Sequence, residues 1–368
     1  MIKVLMISVR ADHGGGPRHM ELLINELRGT VDFSVACPRD MPYFHRFSSL
    51  LNGHVLTIPH RKFDVFAAFR LARYVREESI HIVHSHGKGA GLYARLVTFL
   101  SNAMSVHTPH GIHTSEYSRI KKSLYRLYEN ITSSRVSYVV FVSKEEKLSA
   151  ESAGLWPNTR SHIVENGVPE IPSEFSRENR RITREMLGIK DGDAIVATIS
   201  RFDYQKNMDE ALQIAALLPF VIFIWIGDGP NRDRLAKEAI SNGINNIILL
   251  GHLDDPARII AAADLYLSTS RWEGLPLAVL EALSMGIPVI VSDVVGHGDV
   301  IARGSVGVSY PLGKPEVAAL KIRDLINDGD MRRKFGRAAI DLQRQYYSAK
   351  KMSEEIYQLY SKMNANFE

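Results

Sequence analysis

Apolar runs of strand length recur along nearly the whole chain, separated by windows of helical spacing. This alternation narrows the fold more than any other feature. The first half holds KVLMISV (3–9), FSVAC (33–37), HVLTIP (54–59), HIVHSH (81–86), SVHTPH (105–110), SYVVFVS (137–143) and SHIVENG (161–167). The second holds AIVATISR (194–201), VIFIWIG (221–227), NIILLGH (246–252), LYLSTS (265–270) and PVIVSD (288–293). Between them lie windows such as PRHMELLINEL (17–27) and MDEALQIAALL (208–218), apolar at helical spacing. Strands without polar alternation are covered on both faces, so the pattern predicts parallel sheets flanked by helices. The α/β doubly wound arrangement occurs twice, which suits a chain of 368 residues.

The polar stretch NGVPEIPSEFSRENRR (166–181) has two prolines and no periodicity, as expected of a domain connection. The domains expected are therefore 1–170 and 171–347, followed by a C-terminal helix in 348–368. That helix sets Met352, Ile356, Leu359, Tyr360 and Met363 on one face, which needs a surface to cover it. No apolar run approaches the ~18 residues that a membrane-spanning helix requires. The opening MIKVLMISVRADHGGG has a short apolar run and no small-residue cleavage site, so it is expected to be a buried strand rather than a signal peptide. The lone Cys37 precludes an intrachain disulfide and fits a cytoplasmic protein. Residues 1–170 carry 21 Lys and Arg against 15 Asp and Glu, whereas the whole chain is only +4. The basic half favours an anionic partner: lipid headgroup, nucleic acid or anionic substrate.

Two acids, Glu273 and Glu281, stand in the otherwise apolar STSRWEGLPLAVLEALSMGIPVIVSD (268–293). LYLSTS should be a strand and RWEGLP the turn out of it. Pro276 suits the first position of a helix that Gly286 ends. Glu273 then lies in the turn and Glu281 within the helix. Free N–H groups around Gly274, Leu275, Pro276 and Leu277 form an anion-binding helix start at a strand carboxyl end. A phosphate can dock there while the acids accept from hydroxyls, a combination that describes a sugar nucleotide. Spacing alone leaves a second reading open, that of two surface acids on a helix and its entry loop.

The same segment resembles the E-x7-E region of family 4 glycosyltransferases, retaining enzymes of the GT-B fold. Other stretches agree in order: GGGPRHMELLINEL (14–27), HIVHSHGKGAGLYARL (81–96), VHTPHGIH (106–113), VVFVSKEEK (139–147) and IVENGV (163–168). ISRFDYQKN (199–207) resembles the G-R-x4-K diphosphate signature with Ser200 in place of Gly, and IGDGP (226–230) and LLGHLDD (249–255) resemble the sugar-nucleotide domain. The resemblance implies two Rossmann-like domains facing a cleft, with the last helix crossing back to the first. It implies that Glu281 accepts from the nucleotide ribose and Glu273 holds donor-sugar hydroxyls. Arg201 and Lys206 clamp the diphosphate, Gly15 and Gly16 bring backbone N–H groups to it, and His110 touches the donor sugar. Gly227, Leu253 and the residues from Gly274 to Leu277 complete the implied donor site. In the front-face mechanism of such enzymes the departing phosphate oxygen takes the acceptor proton, so no protein nucleophile and no cofactor is expected. Glu273 as covalent nucleophile is the rival reading, though it is better placed to orient the sugar.

The segment VSDVVGHGDVI (291–301) departs from the family pattern, with Val295-Gly296-His297 where many relatives have a Gly-Gly turn. The resemblance is strongest to surface-polysaccharide enzymes, capsule or O-antigen. That implies a UDP-sugar rather than GDP-mannose and a polyprenyl-diphosphate-linked saccharide as acceptor. A sugar-nucleotide epimerase of the same fold is the first alternative, and the E-x7-E with R-x4-K argues against it. A nucleic-acid-binding protein is the second, for which no recognition motif is present.

No metal is expected. Asp191-Gly192-Asp193 mimics a D-x-D metal site but sits in a polar turn before a strand. His84, His86, His107, His110 and His113 lack the carboxylate or Cys partner of a catalytic zinc site. Finally, RIKKSLYRLY (119–128) sets Ile120, Leu124, Leu127 and Tyr128 on one helical face beside Lys121, Lys122 and Arg126. Tyr117 and Tyr125 are expected at headgroup depth. Two readings are open: the face packs on the sheet, or it lies on the anionic inner face of a cell membrane.

Overall fold

The computed structural model describes residues 1–112 and 117–365 and divides them into two units. The first joins Met1–Asn166 with the C-terminal segment from Ala349, and the second is Gly167–Ser348. In chain order the first unit contains β1 (Ile2–Ser8), α1 (Gly15–Glu26), β2 (Val31–Cys37), α2 (Tyr43–Leu50), β3 (Val55–Thr57), α3 (Val65–Glu77) and β4 (Ile82–His86). It continues with α4 (Lys88–Phe99), β5 (Met104–Thr108), α5 (Arg119–Ile131), β6 (Tyr138–Phe141), α6 (Lys144–Ser152) and β7 (Ser161–Ile163). The seven strands are parallel in the order β3-β2-β1-β4-β5-β6-β7, with Val4 opposite Phe33 on one side and Ile82 on the other. The order reverses between β1 and β4.

The second unit contains α7 (Ser173–Met186), β8 (Ala194–Ile199), α8 (Met208–Leu217), β9 (Val221–Ile226), α9 (Arg232–Ser241), β10 (Ile247–Gly251) and α10 (Ala257–Ile260). β11 (Leu265–Ser268), α11 (Leu277–Ser284), β12 (Val289–Ser292), α12 (His297–Arg303), β13 (Gly307–Tyr310), α13 (Pro315–Asn327) and α14 (Gly329–Tyr346) follow. Six parallel strands run β10-β9-β8-β11-β12-β13, reversing between β8 and β11. Each sheet's apolar residues meet helices to form a core. Leu5, Ile7 and Val83 pack under α3 and α4, and Phe223, Trp225 and Leu265 pack under α8 and α13. Burying one such side chain is worth ~1.5–3 kcal/mol.

The last helix, α15 (Ala349–Asn364), packs on α1 and β1 of the first unit. The face carrying Met352, Ile356, Leu359, Tyr360 and Met363 is buried along its length. Three readings need correction. The stretch expected as an irregular connection contains most of α7, which Arg180 and Arg184 tie to Asp264 by ion pairs of 2.8 and 3.2 Å. Pro276 is the cap residue of α11, with β-region backbone, rather than its first helical residue. β13 was not anticipated. It is a four-residue edge strand with one buried side chain, Tyr310. No described helix is long and apolar enough to cross a membrane.

Candidate active site

In an open parallel sheet, ligands bind beyond the strand carboxyl ends where the strand order reverses. In the second unit that point lies between β8 and β11, and the loops leaving these two strands carry Arg201, Lys206 and Glu273. The loop after β8 is held against the neighbouring strand. Ser200 donates its N–H to the Ile226 carbonyl at 2.9 Å. Gly227 has φ +129°, and a Cβ there would stand 1.9 Å from the Ser200 carbonyl oxygen, so only glycine fits. Arg201 is fixed by Asp203 at 2.9 Å and by the Gln205 side-chain oxygen at 3.1 Å. Gln205 in turn donates to the Trp272 carbonyl at 3.0 Å, and Thr269 Oγ1 donates to the Lys206 carbonyl at 2.9 Å. These bonds stitch the two loops together.

Lys206 Nζ donates to Glu273 Oε1 at 2.6 Å, and Ser270 Oγ donates to the same oxygen at 2.6 Å. Burial acts to raise the Glu273 carboxyl. The Lys206 ammonium, the His297 imidazole and the two hydrogen bonds outweigh it and hold the acid below the usual carboxylate range. Glu273 is thus a fixed anion with Oε1 engaged. Its backbone N–H donates to the Val295 carbonyl at 3.2 Å. Gly296, at φ +86°, passes so close beneath it that a Cβ would be 2.5 Å from the Gly274 carbonyl oxygen. His297 is fully buried, and its Nδ1–H donates to the Ser292 carbonyl at 2.8 Å. The segment that departs from the family pattern is therefore the floor under Glu273.

Glu281 lies on α11, half-buried. Burial drives the Tyr266 hydroxyl above its ordinary range, and Glu281 and Glu273 both add to that, so the two acids share one neighbourhood beside β11. Gly274, Leu275, Pro276 and Leu277 are buried at the start of α11, whose cap residue offers no side-chain acceptor. Leu253 is half-buried in the loop after β10. Ser270, Asp203 and Gln205 were not singled out from the sequence. Only Ser270, three residues before Glu273, carried any signal.

In the first unit the reversal lies between β1 and β4, and again the sites converge on it. Gly15 and Gly16 open α1 after β1, and a Cβ on Gly16 would stand 3.7 Å from His110 Cδ2. His110 has left-handed backbone, φ +55°. The next residue, Gly111, donates its N–H to Glu146, which also accepts from Val142 N–H at 2.8 Å. Burial pushes the Glu146 carboxyl up to about 7 against these two bonds. His86 Nδ1 and His110 Nε2 are 3.1 Å apart, and His19 packs edge-on to His110. Burial holds all three imidazoles below their ordinary value, and they are neutral. His84 bonds Tyr360 Oη at 2.5 Å and Thr108 Oγ1 at 2.8 Å, and His107 bonds Ser85 Oγ at 2.9 Å, so both are structural.

Among the described residues His19, His86 and His110 offer ligand nitrogens within 4.8 Å of one another, enough to hold a metal ion. The group brings no carboxylate, and two of its members are already hydrogen-bonded to each other. His113 lies outside the described residues. In Asp191-Gly192-Asp193, Asp193 accepts from Lys190 N–H at 3.0 Å, as a turn residue does. On α5 the row Ile120, Leu124, Leu127 and Ile131 is 57–74% exposed, so this face does not pack on the sheet. Tyr125 and Tyr128 point the other way. Lys88 sits 5.0 Å over the Tyr125 ring and Arg95 5.2 Å over Tyr128. Lys121, Lys122 and Arg126 are exposed.

The family model for Glycosyltransferase Family 4 matches residues 13–170, and that for Glycosyl transferases group 1 matches residues 179–342. The UDP-Gal:alpha-D-GlcNAc-diphosphoundecaprenol alpha-1,3-galactosyltransferase of Escherichia coli is 27% identical over 244 residues, covering 64% of this chain. The match spans 63% of that relative's length, under two thirds. The O-antigen biosynthesis glycosyltransferase WbnH of Escherichia coli is 27% identical over 250 residues, covering 67% of this chain and 69% of its own. Among solved structures, Anabaena HepE in complex with UDP and glucose superposes with a TM-score of 0.84 over 98% of this chain and 100% of that one. At 18% identity that likeness is one of fold.

Proposed function

The chain belongs to glycosyltransferase family 4, one matched domain in each unit, and from that premise we propose that it transfers a sugar from a UDP-sugar, with retention, to a saccharide on a polyprenyl diphosphate. The pathway proposed is surface polysaccharide assembly. The observation that carries the reading is the Lys206–Glu273 pair at the strand-order reversal of the second unit, with Arg201 fixed beside it. Nucleotide and acceptor classes are carried over from the name of the galactosyltransferase relative.

The chemistry follows from the charges. Departure of the nucleoside diphosphate leaves negative charge on its outer phosphate. Arg201 offers a planar fork to two oxygens, and Lys206 has protons beyond the one given to Glu273. Both are held in place before the reaction, so their stabilisation costs no reorganisation. Glu273 is an unsuitable nucleophile. Its lowered pKa makes it a weak base, and Oε1 is engaged twice, which leaves Oε2 to accept from a donor-sugar hydroxyl. The departing phosphate oxygen then takes the acceptor proton in the front-face manner. Glu281 accepts from the ribose, and His110, neutral, contacts the sugar. The two cations fill the role that a metal plays in other transferases, so we propose a metal-independent reaction.

The first unit is proposed to meet the anionic inner face of a cell membrane through Lys121, Lys122 and Arg126. The exposed apolar row on α5 supports this. A thermal-shift panel tests the donor assignment. A UDP-sugar at a hundred times its Kd should stabilise the protein by about 2.7 kcal/mol. A shift with GDP-mannose alone would reject UDP, and no shift with any sugar nucleotide would reject the reading.

A further inference from the structure

A second surface of the first unit shares the composition of α5 but is remote from it in the chain. In the stretch HRKFDVFAAFR (60–70), three phenylalanines are open to solvent: Phe63 at 44%, Phe66 at 74% and Phe69 at 52% exposed. Arg61, Lys62 and Arg70 are exposed around them, and Arg73, further along α3, is paired with Glu77 at 2.7 Å. The one acid in the stretch, Asp64, is occupied. It caps α3 by accepting from Ala67 N–H at 2.9 Å. Large aromatic side chains seldom stand three together on a surface without a partner.

The loop carrying Phe63 is held in shape. Buried Tyr93 accepts from Asp64 N–H at 2.8 Å and donates to the Lys62 carbonyl at 3.0 Å, and its ring lies 4.9 Å from that of Phe63. The phenylalanines are thus presented by a fixed scaffold.

Topology places this patch on the same layer as α5. The sheet order and right-handed crossovers put α1 and α2 on one face of the sheet and α3, α4 and α5 on the other. The packing agrees: α3 lies against α4, and α4 meets α5 through the buried Arg95–Glu129 ion pair. From this we propose that α3 and its entry loop form a second lipid-contacting element, with Phe63, Phe66 and Phe69 entering an anionic membrane interface and Arg61, Lys62 and Arg70 pairing with headgroup phosphates. This rests on the reading that α5 meets a membrane. The occupant follows from charge complementarity. The patch pairs bare aromatic rings with several cations and no uncommitted acid, the combination that an anionic lipid interface satisfies. Two separated elements also fix the orientation of the unit on the surface, which one helix alone does not.

The test uses the full chain with vesicles of pure phosphatidylcholine and of phosphatidylcholine mixed with phosphatidylglycerol. Phe66→Trp is expected to gain emission that brominated lipid quenches, measured as the difference from wild type. Combined Phe66→Ser and Phe69→Ser, both at the surface, should lower flotation with the mixed vesicles severalfold while leaving the melting curve unchanged. Arg61→Glu with Lys62→Glu should lower it by roughly fivefold or more per residue and flatten its dependence on salt. Suppose the added emission of Phe66→Trp is not quenched and the serine variant floats as wild type does, while Lys121→Glu, Lys122→Glu and Arg126→Glu together abolish flotation. The second element is then overturned and the α5 reading stands. If wild type floats with neither vesicle, both fall and a protein partner is left as the occupant.

Discussion

Lys206 and Glu273 are 67 residues apart in the chain and 2.6 Å apart in the fold. Their contact closes the gap between the loops that leave β8 and β11, at the point where the second sheet reverses its strand order. It joins a cation proposed to meet the leaving diphosphate with an acid proposed to hold the sugar on the other side of the breaking bond.

The first prediction separates these cations from simple binding groups. Lys206→Ala and Arg201→Ala should each lower kcat by roughly a hundredfold to a thousandfold, with a smaller change in donor affinity, as loss of one charge-stabilising donor does. Lys206→Ala should also lower stability by at most about 3 kcal/mol, because Glu273 is left buried and unpaired. Partial exposure of Lys206 reduces that figure. Steady-state kinetics and urea unfolding measure both. Near-normal turnover in the two variants would remove the proposed clamp.

Glu281→Ala should behave otherwise. Its proposed partners, the ribose hydroxyls, are remote from the reacting bond. UDP affinity should fall by ~1.5–3 kcal/mol, the range for a hydrogen bond to a charged group. Calorimetric titration with UDP is the check, and unchanged affinity in a folded variant would contradict the assignment.

Much of the fold is legible in the sequence because β6 and β9 are unbroken apolar runs, as suits a parallel strand covered on both faces. β13 is not. Gly307-Val308-Ser309-Tyr310 is short and at an edge, and it depends on a glycine whose absent Cβ lets the Val289 carbonyl approach. The helix α7 escapes notice for a different reason. Arg180 and Arg184 hold it through Asp264 and backbone carbonyls, so it needs no apolar stripe. In the site, Glu273 and Glu281 stand out as acids in an apolar run. Their surroundings do not, because β8 and β11 become neighbours only through strand order. Likewise nothing in EEK (145–147) announces that Glu146 accepts from Gly111 and braces the turn carrying His110.

Activity should survive excess EDTA, because Arg201 and Lys206 occupy the electrostatic role. Complete loss restored by magnesium or manganese would reopen Asp191-Gly192-Asp193. Loss restored only by zinc would point to His19, His86 and His110.

Stability should fall as the pH drops below 6.5. Burial depresses His19 to about 4 and His107 to about 3, and it lowers His84, His86 and His110 as well. Each favours the folded state above the unfolded imidazole value, and that contribution is lost as the pH falls toward the folded one. His19 alone accounts for a loss on the order of 3 kcal/mol by pH 4. Glu146 has the opposite sign. Raised to about 7, it stabilises the folded state at low pH and loses that contribution as the pH rises from 4.5 through 7. Burial raises Glu129, Glu210 and Glu355 in the same sense. With His162 and His297 also lowered, the histidines outnumber these acids among the described residues and set the direction. The urea midpoint should decline from pH 7.5 to 4.5, and a midpoint that rises over that range would contradict the account.

The central claim is retaining transfer from a UDP-sugar with no covalent intermediate on Glu273. It is tested by incubating the protein with an α-linked UDP-sugar and a polyprenyl-diphosphate-linked saccharide, then reading the new anomeric signal by proton NMR together with UDP release. The account predicts an α-linked product, UDP formed in step with it, and no sugar attached to the protein in the intact mass. A β-linked product, or a glycosylated Glu273 trapped with a slow donor analogue, would contradict it.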